Sequence, residues 1–309
     1  MANMKGRSLA SLYDLTREEI EEILKKSELL KRETFQGQPH LLLKGKTLAM
    51  IFEKPSTRTR VSFEVGMWQL GGYALYLSAG DLQLGRGETI ADTARVLSRY
   101  VDGIVARVFR HQTILDLIRY SRVPVINGLS DYTHPCQGLA DLFTIYEKKG
   151  RLSGLKLAYV GDGNNVAHSL LYGCSKVGMD IVLGCPKGYE PHPEVVSKAK
   201  DEAKIRGSQV KVTNDPKEAI KGADVIYTDV WASMGQEKEH DQRIKIFKPY
   251  QVNGQLVKGA KEDYVFMHCL PAHRGEEVTD EVADSKHSVI FDQAENRLHT
   301  QKALLALIM

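Results

Sequence analysis

Short apolar runs alternate with amphipathic helical patterns along the chain. A first helix begins at a capping box formed by Thr16 and Glu19, and isoleucines and leucines at helical spacing follow it. The first strand is predicted at Thr47–Phe52. A polar loop and a second helix come next, and Gly71 and Gly72 end that helix. This alternation indicates parallel strands that are joined by crossover helices.

Further apolar runs divide into two series. The helix expected from about Pro135 to Lys149 leads from the first series to the second. With 309 residues, the chain is long enough for two domains of about 150 residues each. We therefore predict an α/β protein of two doubly wound parallel-sheet domains, with the active site in the cleft between them. The expected strands are YALYLS, GIVARV and VPVIN in the first series, and KLAYVGD, DIVLGCP, QVKVTND, DVIYTDV, VFMHCLP and SVIFDQ in the second.

Composition narrows the classes of function. The 42 Lys and Arg residues nearly balance the 39 Asp and Glu residues, which argues against a nucleic-acid partner, whereas small anions remain possible. No apolar run reaches the ~18 residues of a membrane span, so we expect no membrane partner and interpret the terminal ALLALIM as the apolar face of a docked helix. Four cysteines without a CxxC pair or a signal peptide pattern predict reduced thiols in a cytoplasm.

The loop FEKPSTRTR combines many hydrogen-bond donors directly after the first strand and before a helix. Backbone N–H groups and the positive end of the helix dipole meet there, and Ser56, Thr57, Arg58 and Thr59 add hydroxyls and a guanidinium. The loop is therefore predicted to bind an anion, and phosphate is the anion expected. It is not a Walker A loop, because GxxxxGK[ST] is absent.

A second turn, GDGNNVA, is a rival site for a dinucleotide. Val166 occupies the third glycine position, and the following strand ends in Cys185 and Pro186 without the acid that would bind a ribose hydroxyl. These features disfavour NAD. Asn164 and Asn165 could instead bind a small polar ligand.

Three more loops are polar where a strand ends or a helix starts: HPCQ, DVWASMGQE and HCLPAHRGEE. His134, Cys136, His268 and Cys269 could in principle hold a metal, but their spacing is not that of a zinc ligand set, so no metal is expected. Cys136, like Cys174 and Cys185, is interpreted as core packing.

Together, STRTR, HPCQ, SMGQE and HCLPAHRGEE resemble the motifs of the ornithine carbamoyltransferase family, in the same order and over essentially the whole chain. STRTR alone would indicate only the wider carbamoyltransferase family. The resemblance implies transfer of a carbamoyl group from carbamoyl phosphate to the δ-amine of L-ornithine, without a metal or an organic cofactor. It also implies a carbamoyl-phosphate-binding domain at residues 1–148, with helix 294–309 packed on it, and an ornithine-binding domain at residues 149–293.

The resemblance also assigns roles to individual residues. Asp229 would accept the α-ammonium of ornithine, and Cys269 would lie beside the nucleophile as an orienting group. The phosphate would be held by Ser56, Thr57, Arg58, Thr59 and Arg107, the carbonyl oxygen by Thr59, Arg107 and His134, the carbamoyl amide by Gln137, Arg297 and the backbone of Cys269 and Leu270, and the α-carboxylate side of ornithine by Asn165, Ser233 and the backbone of Met234.

A homotrimer, or a multiple of it, is implied as well, with Gln83 of the DLQLGRGE loop reaching carbamoyl phosphate in a neighbouring subunit. Three alternatives stay open at this point. They are a carbamoyltransferase for another amine such as putrescine, a nicotinamide-dependent oxidoreductase built on GDGNNVA, and a non-catalytic sensor of a small phosphate ester.

Overall fold

The computed structural model describes residues 3–78, 80, 82, 87–232 and 239–309. The chain divides into two compact units, and each contains one parallel sheet. Unit 1 comprises Met1–Phe143 and Glu295–Met309, and unit 2 comprises Thr144–Ala294. The divisions fall within two long helices, Pro135–Lys149 and Ile290–Ile308.

The sheet of unit 1 has four parallel strands in the order β2-β1-β3-β4. The strand order reverses between β1 and β3, and ligands of open α/β sheets bind beyond the carboxyl ends of strands at such a reversal. The strands are β1 (Thr47–Phe52), β2 (Tyr73–Ser78), β3 (Gly103–Arg107) and β4 (Val125–Leu129). The helices that begin or end in this unit are α1 (Arg17–Phe35), α2 (Thr57–Gln69), α3 (Ile90–Leu97), α4 (His111–Tyr120), α5 (Pro135–Lys149) and α11 (Ile290–Ile308), and a 3-10 turn lies at Leu12–Asp14.

Local sequence signals placed several of these elements correctly. The bounds of β1 and α5 match the prediction, and the Thr16 side chain caps α1 in a capping box with Glu19. The terminal helix is docked, since Leu304, Leu305 and Ile308 are buried. In α2 the face that carries Val61 and Trp68 is exposed, and the opposite face, with Phe63 and Met67, enters the core.

The sheet of unit 2 has five parallel strands in the order β7-β6-β5-β8-β9. Its strand order reverses between β5 and β8, so this reversal is where unit 2 is expected to bind a ligand. The strands are β5 (Lys156–Val160), β6 (Asp180–Gly184), β7 (Val210–Thr213), β8 (Val225–Thr228) and β9 (Val265–His268). The remaining helices are α6 (Asn165–Val177), α7 (Pro193–Arg206), α8 (Pro216–Ile220), α9 (His240–Phe247) and α10 (Asp280–Ala283), with 3-10 turns at Lys248–Tyr250 and Val257–Gly259.

One predicted strand, SVIFDQ, is wrong. Ser288 forms only an isolated bridge with Phe266, and α11 begins at Ile290. The helix brings the fully buried Gln293 side chain onto the sheet, where its amide oxygen accepts the backbone N–H of His268 at 2.9 Å. Its amide nitrogen donates to the Tyr227 hydroxyl at 3.0 Å. These long-range bonds favour a helix where the apolar run alone suggested a strand.

The predicted fold class, two α/β units with parallel sheets flanked by helices, is confirmed. Within the described ranges, no helix is long and apolar enough to cross a membrane. The four cysteines are free thiols, and Cys269 is the half-buried member while the other three are buried.

Candidate active site

The STRTR loop forms the N-terminus of α2, as its sequence predicted. Ser56 is the N-cap, and its hydroxyl accepts the backbone N–H of Thr59 at 3.2 Å. Thr57 is exposed and Thr59 is buried. Arg58 is half-buried, and among the described residues its guanidinium forms no hydrogen bond or ion pair. A cation that has no partner within the described part of the chain, at the positive end of a helix, suits an anionic ligand.

Arg107 is the last residue of β3, directly across from Phe52 at the end of β1. The two strand ends are tied together beyond that pair. The backbone N–H of Glu53 donates to the Arg107 carbonyl at 2.9 Å, and the Glu53 carboxylate accepts the N–H of Phe109 at 2.7 Å. Arg107 is 8% exposed. The backbone of the buried Arg107 is therefore fixed at the reversal between β1 and β3, beside the loop that leads to α2.

His134 precedes α5 and is held by a buried turn. Asn127 of β4 donates through its amide to the Thr133 hydroxyl at 3.1 Å, and the Thr133 hydroxyl donates to the Ala10 carbonyl at 2.9 Å. Burial lowers the pKa of His134 well below its ordinary value, and the positive charges of Arg297, Arg107 and Arg58 lower it further. The imidazole is thus neutral at physiological pH and keeps one N–H that can donate.

Arg297 of α11 joins three helices of unit 1. Its guanidinium donates to the Gln137 amide oxygen at 2.7 Å and to the Thr59 hydroxyl at 3.2 Å. Its Nε donates to the Gln301 amide oxygen at 3.0 Å. Gln301 in turn donates to the Ser62 hydroxyl of α2 at 2.8 Å. The structure therefore brings Arg297, Gln137 and Thr59 together.

Asp229 lies at the reversal between β5 and β8 in unit 2. One carboxylate oxygen accepts the side-chain amide N–H of Asn164 at 2.7 Å. The other accepts the Cys269 thiol at 3.0 Å and the backbone N–H of Val230 at 2.8 Å. Asp229 is buried and Cys269 is half-buried. The donated thiol proton identifies Cys269 as a thiol that orients the carboxylate.

The HCLP turn after β9 is shaped by His268. Its Nδ1 accepts the backbone N–H of Leu270 at 2.9 Å, so Nε2 carries the proton of the neutral ring and donates to Glu277 at 3.2 Å. Leu270 adopts a φ of 58° and is followed by a cis bond to Pro271. A left-handed leucine is uncommon and costs on the order of 1 kcal/mol or more, and such residues cluster at functional sites.

A buried ion pair between Arg243 and Asp162 lies near Asp229 in unit 2. Arg243 of α9 donates to Asp162 at 3.0 Å and to the Trp231 carbonyl at 2.8 Å. Burial raises the pKa of Asp162 to about 6, although the attraction of Arg243 opposes that rise. Asp229 raises it further by like-charge repulsion. Arg243 therefore stabilises the ionised form of the Asp162 carboxylate against its burial.

The glycines of GDGNNVA are explained by packing within the chain. A Cβ on Gly163 would lie 2.2 Å from the Pro191 nitrogen, and the Gly163 N–H donates to the Tyr189 carbonyl at 2.8 Å. Asn164 caps α6 by accepting the N–H groups of Val166 and Ala167. This turn therefore needs no dinucleotide to account for its sequence.

Some predicted positions stay predictions. Asn165 is half-buried as the first residue of α6, and it is Asn164 that contacts Asp229. Gln83, Ser233 and Met234 lie outside the described residues.

Family models match the two halves of the chain. Residues 7–147 match the carbamoyl-P binding domain of aspartate/ornithine carbamoyltransferase, and residues 153–308 match its Asp/Orn binding domain. The chain belongs to the aspartate/ornithine carbamoyltransferase family.

Several relatives that match this carbamoyltransferase over its full length are named ornithine carbamoyltransferase. The chain is 64% identical to ornithine carbamoyltransferase of Thermococcus kodakarensis, and the match covers 100% of this chain and 98% of the relative. It is 63% identical to the anabolic ornithine carbamoyltransferase of Pyrococcus furiosus, with the same coverage. The solved Pyrococcus furiosus enzyme superposes with a TM-score of 0.98 at 63% identity, covering 100% and 99% of the two chains. That of Gloeobacter violaceus gives 0.90 at 47% identity, with both chains fully covered.

Sequence reasoning missed the residues that hold the candidate site residues of this carbamoyltransferase in place. These residues are Glu53, Gln301, Asp162 and Arg243. The role of Asn164 as a partner of Asp229 was missed as well. Gln301 carries one local signal, since it lies four residues after Arg297 and so shares its helical face. Arg243 and Asp162 are 81 residues apart and share no sequence pattern.

We expect Arg243→Met to destabilise unit 2 of this carbamoyltransferase by about 3 to 5 kcal/mol, because it leaves the Asp162 carboxylate buried without its partner. Trp231 is buried in unit 2, so its fluorescence in a Trp68→Phe background, where it is the single remaining tryptophan, should follow urea unfolding of that unit. The loss should be larger at pH 8 than at pH 6. Without Arg243, the pKa of Asp162 should lie above the value of about 6 that it has beside the guanidinium, so protonation removes the uncompensated charge as the pH falls over this range.

Glu239→Gln is the matched control for that variant. Glu239 pairs with the same arginine at 3.1 Å, but its side chain is 57% exposed, so its loss should cost at most about 1 kcal/mol. Equal unfolding midpoints for the two variants would show that Arg243 does not act through Asp162.

Proposed function

We propose that this chain transfers the carbamoyl group of carbamoyl phosphate to the δ-amine of L-ornithine, giving L-citrulline and phosphate. The observation that supports it most directly is the neutral His134 among the positive charges of Arg58, Arg107 and Arg297. The guanidiniums of Arg58 and Arg107 suit a dianionic phosphate, and a neutral imidazole N–H suits a carbonyl oxygen. The ornithine names of the full-length relatives support the acceptor.

In the proposed complex, unit 1 holds carbamoyl phosphate. The N–H groups at the start of α2, the hydroxyls of Ser56, Thr57 and Thr59, and the guanidiniums of Arg58 and Arg107 bind the phosphate. Thr59, Arg107 and His134 direct donors at the carbonyl oxygen and stabilise the charge that builds up there in the tetrahedral transition state.

The carbamoyl amide is bound by Gln137, Arg297 and the backbone of Cys269 and Leu270. The mutual hydrogen bond of Gln137 and Arg297 supports this, because it fixes both side chains before a substrate arrives. The left-handed Leu270 supports it as well, since its conformation orients the carbonyl groups of the HCLP turn.

Unit 2 holds ornithine in this scheme. The Asp229 carboxylate accepts the α-ammonium, and Asn165, Ser233 and the backbone of Met234 bind the α-carboxylate side. A buried carboxylate that is already held by Asn164 and Cys269 loses little freedom on binding an ammonium, which favours this role.

The chemical step needs a neutral δ-amine, because an ammonium has no lone pair. The amine nitrogen attacks the carbonyl carbon, and the tetrahedral intermediate collapses as the bond to the phosphate oxygen breaks. The departing phosphate takes the proton that the amine nitrogen loses, so no protein group needs to act as the general base. The Cys269 thiol orients Asp229 beside the amine and forms no covalent bond.

The cellular role and assembly belong to the same proposal. We place the reaction in arginine biosynthesis, because the Pyrococcus furiosus relative is named anabolic; the reverse reaction would serve arginine catabolism. The four free thiols favour a cytoplasmic location. A homotrimer, or a multiple of it, in which Gln83 reaches a neighbour's carbamoyl phosphate, is proposed from the family resemblance of the DLQLGRGE loop.

The acceptor is tested by offering ornithine, putrescine and aspartate separately with carbamoyl phosphate and a chelator. The purified chain should form a ureido product fastest from ornithine, as measured by a colorimetric ureido assay. Faster turnover of putrescine or aspartate would overturn the ornithine assignment, and no ureido product from any amine would favour a non-catalytic sensor.

The phosphate site is tested by Arg58→Gln, with Arg60→Gln as the matched control. Loss of a charge-assisted hydrogen bond of about 1.5 to 3 kcal/mol should weaken carbamoyl phosphate binding roughly tenfold to hundredfold in calorimetry. Arg60 lies two residues after Arg58 in the same helix. Its guanidinium already pairs with Glu64 at 3.1 Å and stacks 3.8 Å from the Tyr76 ring centroid, so its removal should leave the affinity nearly unchanged. Unchanged affinity in Arg58→Gln would remove Arg58 from the site.

A further inference from the structure

Two histidines and a glutamate of unit 2 converge on one point outside the proposed substrate site. His240 is the first residue of α9, and His273 and Glu276 lie in the turn that follows β9. The His240 Nε2 and His273 Nδ1 atoms are 3.3 Å and 3.6 Å from the Glu276 Oε2 atom, and all three ligand atoms lie within 4.8 Å of one another. Nothing in the proposed reaction uses these side chains.

The spacing suits a small divalent metal. Zinc binds histidine nitrogen and carboxylate oxygen at about 2.0 to 2.2 Å in tetrahedral sites, which places neighbouring ligand atoms roughly 3.3 to 3.6 Å apart. The distances from the His240 and His273 ring nitrogens to the Glu276 oxygen agree with that separation between ligand atoms. Two histidines and one glutamate also form a known type of three-ligand zinc set that leaves a fourth position for water.

The turn that carries two of the ligands is fixed by the protein itself. Gly275 takes a φ of 90°, and its N–H donates to the Val278 carbonyl at 2.8 Å. The Glu276 N–H donates to the His273 carbonyl at 2.9 Å. The Gln251 side chain donates to the carbonyls of Gly275 and Glu276, each at 2.8 Å. His273 and Glu276 are therefore presented on one side of an anchored turn, which lowers the entropy lost when a ligand binds.

The surroundings favour a cation at this position. Arg274, the cation within the turn, is paired with Asp280 and Asp284, so its charge is compensated away from the cluster. The Asp241 carboxylate lies 3.6 Å from the second ring nitrogen of His240, where an outer carboxylate commonly orients a metal-bound histidine. His240 and His273 are 37% and 45% exposed, so a metal can reach them from solvent.

We propose that His240, His273 and Glu276 form a binding site for one divalent transition metal, of which Zn²⁺ fits the ligand set best. The bound ion would tie the start of α9 to the turn at residues 273–276. This inference does not depend on the proposed reaction. A second group of potential ligands, Asp229, His268 and Cys269, is less suited, because both ring nitrogens of His268 are already in hydrogen bonds with Leu270 and Glu277.

The experiment is a calorimetric titration of the metal-stripped full chain with Zn²⁺. It uses a Cys269→Ser background, because Cys269 is half-buried whereas the other three thiols are buried. We expect one ion per chain. His240→Asn and Glu276→Gln should each weaken binding at least about tenfold, since loss of an outer-shell partner alone costs that much. Binding should also weaken from about pH 7.5 to about pH 5.5, because imidazole binds metal only when it is neutral.

The matched control is His192→Asn, which removes an exposed histidine of unit 2 outside the cluster and should leave Zn²⁺ binding unchanged. Circular dichroism checks that each variant is folded. The proposal is overturned if the ligand variants bind as tightly as the background chain, if His192→Asn loses as much affinity as they do, or if stoichiometric binding is already absent in the Cys269→Ser background.

Discussion

The fold of unit 1 depends on the buried guanidinium of Arg297. It is 2% exposed, and it donates to α5 through Gln137, to α2 through Thr59 and along its own helix to Gln301. A guanidinium removed from water is stable only if its donors are satisfied, so the three helices must meet in this one geometry. The same charge lowers the pKa of His134. One interaction thus links the end of the chain to the proposed carbamoyl phosphate site.

Unit 2 also contains a buried charge that is held by hydrogen bonds from several elements, but this charge is negative. Asp229 is a buried carboxylate at the strand reversal, and the donors that satisfy it come from the loops after β5, β8 and β9. In both units the parallel strands deliver polar side chains to the carboxyl edge of the sheet, and neighbouring loops then fix them. The chemistry that we propose needs both charges: Arg297 holds the carbamoyl group, and Asp229 binds the α-ammonium.

Local signals in the sequence predicted much of this structure. The capping box of α1, the bounds of β1 and α5 and the position of STRTR at the α2 N-terminus depend on residues that are close in sequence. The family motifs added the candidate residues, and the structure brings Thr59, Gln137 and Arg297 together.

The features that sequence reasoning missed depend on distant partners. Residues 290–293 of SVIFDQ begin a helix because Gln293 bonds to strands β8 and β9, and Gln301 bonds to Ser62, which is 239 residues away. Periodicity cannot report such contacts, since it describes one segment at a time. For the same reason the pairing of Asp229 with Asn164, rather than with its neighbour Asn165, was not predictable.

The central claim is that the anchored Arg297 preorganises the carbamoyl phosphate site. The most direct measurement compares carbamoyl phosphate affinity in Gln301→Leu and in Thr300→Val by calorimetry. Gln301→Leu removes the link from the Arg297 guanidinium to Ser62, whereas Thr300→Val removes only hydroxyl bonds to the backbone carbonyls of Asn296 and Arg297 within α11. We predict a roughly tenfold loss of affinity in the first variant, the effect of about one hydrogen bond, and nearly native affinity in the second. Equal affinities in two folded variants would contradict the account.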